Sequence, residues 1–173
     1  RTGLFDERQE GSNGPLELAA TLQRLAPVLE DASIAKVGHD LKFDAIVLAR
    51  HGVELRGLDM DTMLASYLLD ATRSSHPLEE LALEHAGYKA LTEEDIWGRG
   101  AKAIPFREVP TSAMLDYAGE RADLPLQLAP RLRELLARES LERLYSDLEL
   151  PLVPVLVEVE RAGIRVDGAA LSA

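Results

Sequence analysis

The sequence contains no cysteine among its 173 residues, and aromatic side chains make up only 5% of it. The absence of cysteine excludes disulfide bonds and thiolate zinc sites. No apolar run approaches the roughly 18–20 residues that a transmembrane helix needs. Residues 1–14 are polar and contain glycine, which is not the pattern of a signal peptide. These features predict a cytoplasmic protein without a membrane segment.

Basic side chains are also scarce, with 19 Lys and Arg against 30 Asp and Glu and a net charge of −11. A domain that gripped DNA by phosphate neutralisation alone would be basic. The acids could gather around divalent cations, which reverse the local field. Alternatively, most of the DNA-binding surface lies in a basic region outside this chain. The third explanation, that acidic charge keeps the protein soluble, accounts for most of the excess.

The length predicts one domain, or one domain with a fragment of another. Apolar periodicity and the positions of glycine and proline predict helices over 16–30, 40–51, 62–70, 77–86, 92–97 and 111–149, and a last helix ending at Gly163. Pro125 and Pro130 are expected to break or bend the long helix. Two strands are predicted, at 33–37 and 53–60, and a loop at 98–110.

The most informative stretch is 36–44, which reads KVGHDLKFD. It predicts a short strand running into a helix, on which Asp40 and Asp44 are four residues apart and share one face. The block resembles the second exonuclease motif of the proofreading domain in bacterial DNA polymerase I, a family A polymerase. That family typically reads GQNLKYD where residues 38–44 of this chain read GHDLKFD.

Three further blocks resemble the same family, in its order and at about its spacings: 53–70, 117–128 and 149–167. The resemblance implies an unassigned segment 1–15, an exonuclease-like domain at 16–148 and the start of the polymerase domain at 149–173. The implied fold is the α/β ribonuclease H-like exonuclease fold, with a mixed sheet of about five strands. Because the family's first three strands precede the helix predicted at 16–30, we expect a helix-rich, N-terminally incomplete version.

The family hydrolyses mismatched nucleotides from a DNA 3′ end with two divalent metals held by four carboxylates. The resemblance therefore implies Mg²⁺ or Mn²⁺ as cofactor if the site is active. Asp44 matches the metal-binding aspartate of the second motif, and Tyr117 matches the tyrosine that orients the attacking water. Both are the candidate catalytic residues.

The third-motif aspartate of the family falls at Arg121, whose guanidinium cannot lose a proton or ligate a metal. The first-motif Asp-x-Glu pair has no credible match, since Phe5-Asp6-Glu7 has adjacent acids. We therefore predict a degenerate, inactive site that binds no metal, with Arg121 ion-paired to Asp44. Glu120 or Asp123 could supply the missing ligand instead, although either lies well off the Arg121 face of a helix.

Nucleic-acid contacts are predicted at the basic residues Arg99, Lys102 and Arg107 around the 98–110 loop, with plain solvated charge as the alternative. The nearby aromatic residues Tyr88, Trp97 and Phe106 would stack on bases or, more simply, pack in the core. The implied partners are DNA and the chain's own polymerase domain, in DNA replication and repair. Two other functions stay open: an active ribonuclease D-like 3′–5′ exonuclease, and a non-catalytic helical interaction module.

Overall fold

The structure, a computed structural model, describes residues 17–167 and residue 170. The unassigned segment 1–15 and the Phe5-Asp6-Glu7 run lie outside the described residues. Six helices form the main body: α1 (Leu18–Leu29), α2 (Leu41–Arg50), α3 (Thr62–Leu69), α4 (Leu78–Ala86), α5 (Glu93–Trp97) and α6 (Thr111–Arg138). Within the described part of the chain there is one small sheet, made of β1 (Lys36–Gly38) and β2 (Leu58–Asp61).

The two strands are parallel, with Lys36 opposite Leu58 and Gly38 opposite Asp61. Each strand leads directly into a helix, so the N-termini of α2 and α3 lie side by side at the carboxyl edge of the sheet. Parallel strands need such crossover connections, here supplied by α2. This confirms the predicted helix-rich α/β fold, and it places Asp44 at the edge where ligands usually bind in such sheets.

Local capping signals in the sequence predicted several helix ends correctly. Asp61 caps α3 by accepting hydrogen bonds from the amides of Met63 and Leu64. Thr92 and Asp95 form the reciprocal capping box at the start of α5. Gly87 ends α4 in the left-handed conformation, with φ at 64°.

Two expectations were wrong. Both strands are shorter than predicted, and β2 starts only at Leu58 because Gly57 adopts a φ of 71° and turns the chain just before it. A Cβ atom at Gly57 would lie 2.5 Å from the carbonyl oxygen of Ile34, so the two segments approach backbone to backbone there. The expected break in α6 is also wrong, because the helix continues through Pro125 and Pro130, while a bend at these prolines stays a prediction. Pro125 is fully buried, and packing of that face outweighs the lost hydrogen bond.

The core lies between α6 and the layer formed by α3, α4 and the sheet. Its fully buried members include Met60, Leu78, Leu81, Leu128, Leu132 and Leu136. These residues come from β2, α4 and α6, so their burial in one core holds the long helix α6 against the sheet and α4. No helix within 17–167 is both long enough and apolar enough to span a bilayer.

A second helical segment follows α6: α7 (Glu142–Leu144), a π-helical turn over Tyr145–Glu149, and α8 (Leu150–Ala162). Gly163 ends α8 with a φ of 69°, as predicted. α8 packs against α2, and Lys42 of α2 forms an ion pair with Glu160. The boundary predicted between residues 148 and 149 falls inside the π-helical turn and stays a prediction.

Candidate functional site

Asp44 lies in the first turn of α2, beside the end of β1. The site is tight, since a Cβ atom at Gly38 would lie 2.5 Å from Leu41 Cδ2 and 3.8 Å from Asp44 Oδ2. Gly38 therefore lets the helix start close to the strand and brings the Asp44 carboxyl over the strand end. Phe43, which stands where the family often has tyrosine, is exposed.

The Asp44 carboxyl sits among other acids. Although the residue as a whole is exposed, the protein around its carboxyl group displaces water. Together with the negative charges of Asp40 and Asp61, this raises the pKa of Asp44 to about 6. A divalent cation bound beside this carboxyl group would itself supply the positive charge that favours the ionised form.

Asp61 holds this corner of the fold together. Its buried carboxylate accepts hydrogen bonds from the amides of Asp40 and Leu41, at 3.1 and 2.8 Å, in addition to those of its own helix α3. One carboxylate thus satisfies amides at the starts of both α2 and α3, where helix N-termini leave donors without partners. With its oxygens committed to backbone donors, Asp61 acts as a structural residue.

Asp40 has a left-handed backbone, with φ at 64°, and its side chain accepts a hydrogen bond from the Phe43 amide at 3.3 Å. Asn and Asp tolerate this conformation better than most residues. Asp40 therefore caps α2.

Tyr117 and Arg121 lie one turn apart on α6 and contact each other. The guanidinium carbon of Arg121 lies 4.7 Å from the centre of the Tyr117 ring. Arg121 Nη2 also lies 3.1 Å from Glu79 Oε2 and donates to the carbonyl of Leu91 at 3.2 Å. These three contacts hold the charge of Arg121 between α4, α6 and the segment before α5.

The predicted ion pair between Arg121 and Asp44 is wrong for the described residues, because Arg121 pairs with Glu79 instead. The reason is that α4 packs against α6, and this brings Glu79, in the first turn of α4, within reach of Arg121. Burial lowers the pKa of His39, the negative charge of Asp61 raises it, and the positive charge of Arg121 lowers it. Its Nδ1 lies 2.9 Å from the hydroxyl of Thr62.

The two alternative ligands are occupied elsewhere. Glu120 accepts hydrogen bonds from the Tyr88 hydroxyl at 2.7 Å and from the Leu91 amide at 2.6 Å. Asp123 accepts a hydrogen bond from Gln127. Among residues 17–167 and 170, no group of three or more His, Asp or Glu side chains is arranged to hold a metal ion. Within that part of the chain, the structure therefore shows no set of ligands for the two-metal centre that the resemblance implies.

An aromatic series joins the 98–110 loop to this region. The ring of Phe106, which is 63% exposed, meets Trp97 edge-on at 5.8 Å, and Trp97 meets Tyr117 edge-on at 6.0 Å. Neither Phe106 nor Tyr88 is a core residue, so the core-packing expectation fails for these two rings. Trp97 is half-buried.

The basic residues of the loop are exposed to solvent. Arg99 and Arg107 have side chains 84% exposed, and each forms an ion pair with an exposed acid, Glu94 at 3.2 Å and Glu108 at 3.8 Å. Lys102 is exposed too. The structure thus groups the three predicted DNA-contacting cations on the loop that carries Phe106.

Sequence reasoning missed Tyr145, the first residue of the π-helical turn. Its hydroxyl accepts a hydrogen bond from the Asp61 amide at 2.7 Å, although the two residues are 84 positions apart. Burial raises the pKa of Tyr145 to about 12, so the hydroxyl stays protonated. No local sequence signal marks this contact, because it joins the C-terminal helical segment to the sheet.

Comparison with known proteins identifies the family of this domain. The family model for the ribonuclease H-like domain of DNA polymerase I matches residues 8–123. DNA polymerase I of Pseudomonas aeruginosa is 43% identical over 155 residues, covering 88% of this chain and 17% of that protein. DNA polymerase I of Rhizobium leguminosarum is 38% identical over 161 residues, covering 93% of this chain and 16% of that protein.

Two solved structures extend the comparison. The polymerase domain of Pol1 from M. smegmatis, in complex with DNA primer-template and dNTP, is 31% identical with a TM-score of 0.66, over 84% of this chain and 22% of that one. NrnC of Brucella melitensis is 25% identical with a TM-score of 0.67, over 80% of this chain and 64% of that one. The chain spans about a sixth of the curated relatives, and it belongs to the family of the ribonuclease H-like, exonuclease-type domain of DNA polymerase I.

Proposed function

We propose that this domain serves a DNA polymerase I in replication and repair synthesis as a structural platform, with a 3′–5′ exonuclease site that no longer cleaves DNA. The observation that carries the proposal is the set of contacts made by Arg121. It occupies the position of the third-motif aspartate, and Glu79, Leu91 and Tyr117 hold it there. A guanidinium at the sequence position of a metal-binding carboxylate cannot ligate the cation that the reaction needs.

The carboxylates support the same conclusion. Asp44 keeps the second-motif position, but its acidic neighbour Asp40 caps α2 by accepting from the Phe43 amide. The carboxylate of Asp61 accepts hydrogen bonds from four backbone amides. The carboxylate of Glu120 accepts from the Tyr88 hydroxyl and the Leu91 amide. Asp44 is then the one acid of the motif set available as a ligand, and a single carboxylate does not clamp two metals.

DNA is the proposed ligand, held mainly by the polymerase region of the parent protein, in the cytoplasm. On this domain, Arg99, Lys102 and Arg107 would meet phosphates while the exposed ring of Phe106 stacks on a base. The Pol1 relative from M. smegmatis was solved with a DNA primer-template, which supports DNA as the partner of the parent chain.

An active 3′–5′ exonuclease is the second candidate. It is favoured by the retained pair Asp44 and Tyr117, and by the related NrnC, which has been solved with bound Mg²⁺ and with pGG. In that case Asp44 ligates Mg²⁺ or Mn²⁺ and Tyr117 orients the water. A non-catalytic interaction module unrelated to nucleic acid is disfavoured by the membership of the DNA polymerase I family.

A nuclease assay tests the proposal. The chain, extended upstream, is incubated with 5′-labelled single-stranded DNA and Mg²⁺ or Mn²⁺, beside its Asp44→Ala variant. We expect both proteins to leave the 3′ end intact at equal, background levels. Trimming that the Asp44→Ala substitution abolishes would establish the active exonuclease instead.

A further inference from the structure

His39 and Thr62 meet where the two strands end. His39 directly follows Gly38, the last residue of β1, and Thr62 directly follows Asp61, the last residue of β2. A hydrogen bond joins their side chains, with His39 Nδ1 2.9 Å from Thr62 Oγ1. The pair therefore lies at the carboxyl edge of the parallel sheet, where ligands usually bind in such folds.

A second contact of Thr62 decides which of the two side chains donates. Thr62 is fully buried, and its hydroxyl donates to the carbonyl oxygen of Gly38 at 3.1 Å. A hydroxyl group has one hydrogen, and a carbonyl oxygen can only accept. Because the hydrogen of Thr62 is used in the bond to Gly38, His39 Nδ1 must carry the hydrogen of the bond to Thr62 Oγ1.

The other ring nitrogen of His39 then holds a lone pair. Burial lowers the pKa of His39, so the ring is neutral at pH 7 and has one N–H group. With that hydrogen on Nδ1, the Nε2 atom is an acceptor. His39 is half-buried, and within the described part of the chain its Nε2 atom is neither hydrogen-bonded nor fully buried. The lone pair is therefore open to solvent at the edge of the sheet.

We propose that His39 Nε2 accepts a hydrogen bond from the hydroxyl group at the 3′ end of a DNA strand, with Thr62 as the positioning residue. The inference rests on DNA as the ligand proposed above. The phosphate groups between nucleotides have no hydrogen to donate. The bases donate from different atoms, so one fixed acceptor would serve only some sequences through them. The terminal hydroxyl is the donor that strand ends share whatever their sequence.

The tautomer of His39 is the first test, on this chain extended upstream as in the nuclease assay. Nuclear magnetic resonance reads it from the nitrogen chemical shifts of the ring, since protonated and unprotonated ring nitrogens resonate far apart. We expect the hydrogen on Nδ1 in the parent protein and in Thr62→Ser, which keeps the hydroxyl. Thr62→Val removes the acceptor and should return the ring to a mixture of tautomers. A hydrogen on Nε2 in the neutral parent protein would overturn the proposal.

DNA binding is the second test, measured by fluorescence anisotropy with EDTA present so that no strand is cut. A labelled single strand that ends in a 3′-hydroxyl group is compared with the same strand ending in a dideoxynucleotide. We expect the parent protein to prefer the hydroxyl end by about two- to tenfold, the usual range for one hydrogen bond. His39→Leu should lose this preference, whereas His85→Leu, at another half-buried histidine, should keep it.

Equal affinity of the parent protein for the two strands, or no detectable binding of either, would overturn the proposal. So would a preference that His39→Leu retains. A preference set by the last base instead of the hydroxyl group would assign the lone pair to a base and would also overturn it. An Asp44-dependent nuclease activity would overturn the proposed function but leave the tautomer and the hydroxyl preference unchanged.

Discussion

The hydroxyl oxygen of Tyr145 lies 2.7 Å from the amide nitrogen of Asp61 and accepts its hydrogen bond. The Asp61 carboxylate in turn accepts from Asp40 and Leu41 at the start of α2, one turn before Asp44. The helical segment that follows α6 is therefore connected to the candidate site through two buried residues, Tyr145 and Asp61. π-helical turns such as the one that begins at Tyr145 often lie at functional positions.

The Tyr145→Phe substitution removes only the acceptor oxygen and leaves the buried Asp61 amide without a partner. We expect the free energy of unfolding to fall by about 1–3 kcal/mol, the cost of an unsatisfied buried donor. Urea unfolding measures this change. Tyr67→Phe is the matched control, since Tyr67 is half exposed and should lose less than about 0.5 kcal/mol. Equal losses in the two variants would show that the Tyr145 contact stabilises nothing.

Arg121 is expected to act as a structural residue. Replacing it with alanine removes the Glu79 pair, the Leu91 hydrogen bond and the stacking on Tyr117, and should cost about 1–3 kcal/mol. Arg121→Lys should recover part of the loss, because lysine keeps the charge without the planar fork. Thermal unfolding of both variants measures this difference.

The control for Arg121 is Arg131→Ala, which breaks an exposed pair with Glu134. Such a pair contributes little, so we expect a change within about 0.5 kcal/mol. If Arg121→Ala were no more destabilising than Arg131→Ala, the guanidinium would not be fixed as described.

The acidic cluster predicts a particular dependence of stability on pH. The pKa of Asp44 is about 6 in the folded state, against 3.8 as its ordinary value. Between these values the folded state binds more protons than the unfolded state, so this group's contribution to stability falls as the pH rises. The penalty is fully present above pH 6, and Asp44→Asn removes it.

We therefore expect Asp44→Asn to match the parent protein near pH 3.5 and to exceed it at pH 7. The gain should be about 0.5–1 kcal/mol, since solvent around the exposed residue screens the repulsion. Chemical denaturation across this range measures it. Asp116→Asn, at an exposed position on α6, should show no such trend. A loss of stability at pH 7 in Asp44→Asn would mean that a positive charge faces the carboxylate.

The basic loop predicts a salt-dependent contribution to DNA binding. Replacing Arg99, Lys102 and Arg107 with alanine should reduce the slope of log affinity against log salt by about 2, at about 0.7 for each phosphate contact on a single strand. Fluorescence anisotropy with single-stranded DNA measures the slope. The same triple substitution at Arg131, Arg138 and Arg143, which are also exposed, should leave it nearly unchanged.

The sequence predicted the features that depend on neighbouring residues. Helix caps at Asp61, Thr92 and Gly87 use atoms within a few positions, so the local pattern carries the information. The second strand was overestimated because the turn at Gly57 interrupts an alternating apolar and charged stretch that reads as extended. The expected break in α6 is absent because Pro125 is buried against the rest of the domain. The rule that proline interrupts a helix considers only neighbouring residues and does not include such packing.

The site was predictable only in part, because its decisive contacts join distant positions. Motif order placed Asp44, Tyr117 and Arg121, but not the partner of Arg121, which lies 42 positions earlier at Glu79. The role of Asp61 as a joint cap for two helices also required the parallel pairing of β1 and β2. Tyr145 shows the same limit, since a buried tyrosine hydroxyl can find its partner in any segment that packs on it.

A titration of the Asp44 carboxyl group by nuclear magnetic resonance, with and without millimolar Mg²⁺, is the most direct measurement. A bound divalent cation would favour the ionised carboxylate and lower its pKa. With the chain extended upstream, we predict a midpoint of about 6 in both conditions, because among the described residues Asp44 has no second and third ligand with which to hold the cation. A midpoint that falls by a unit or more when Mg²⁺ is added would contradict a site that has lost its metals.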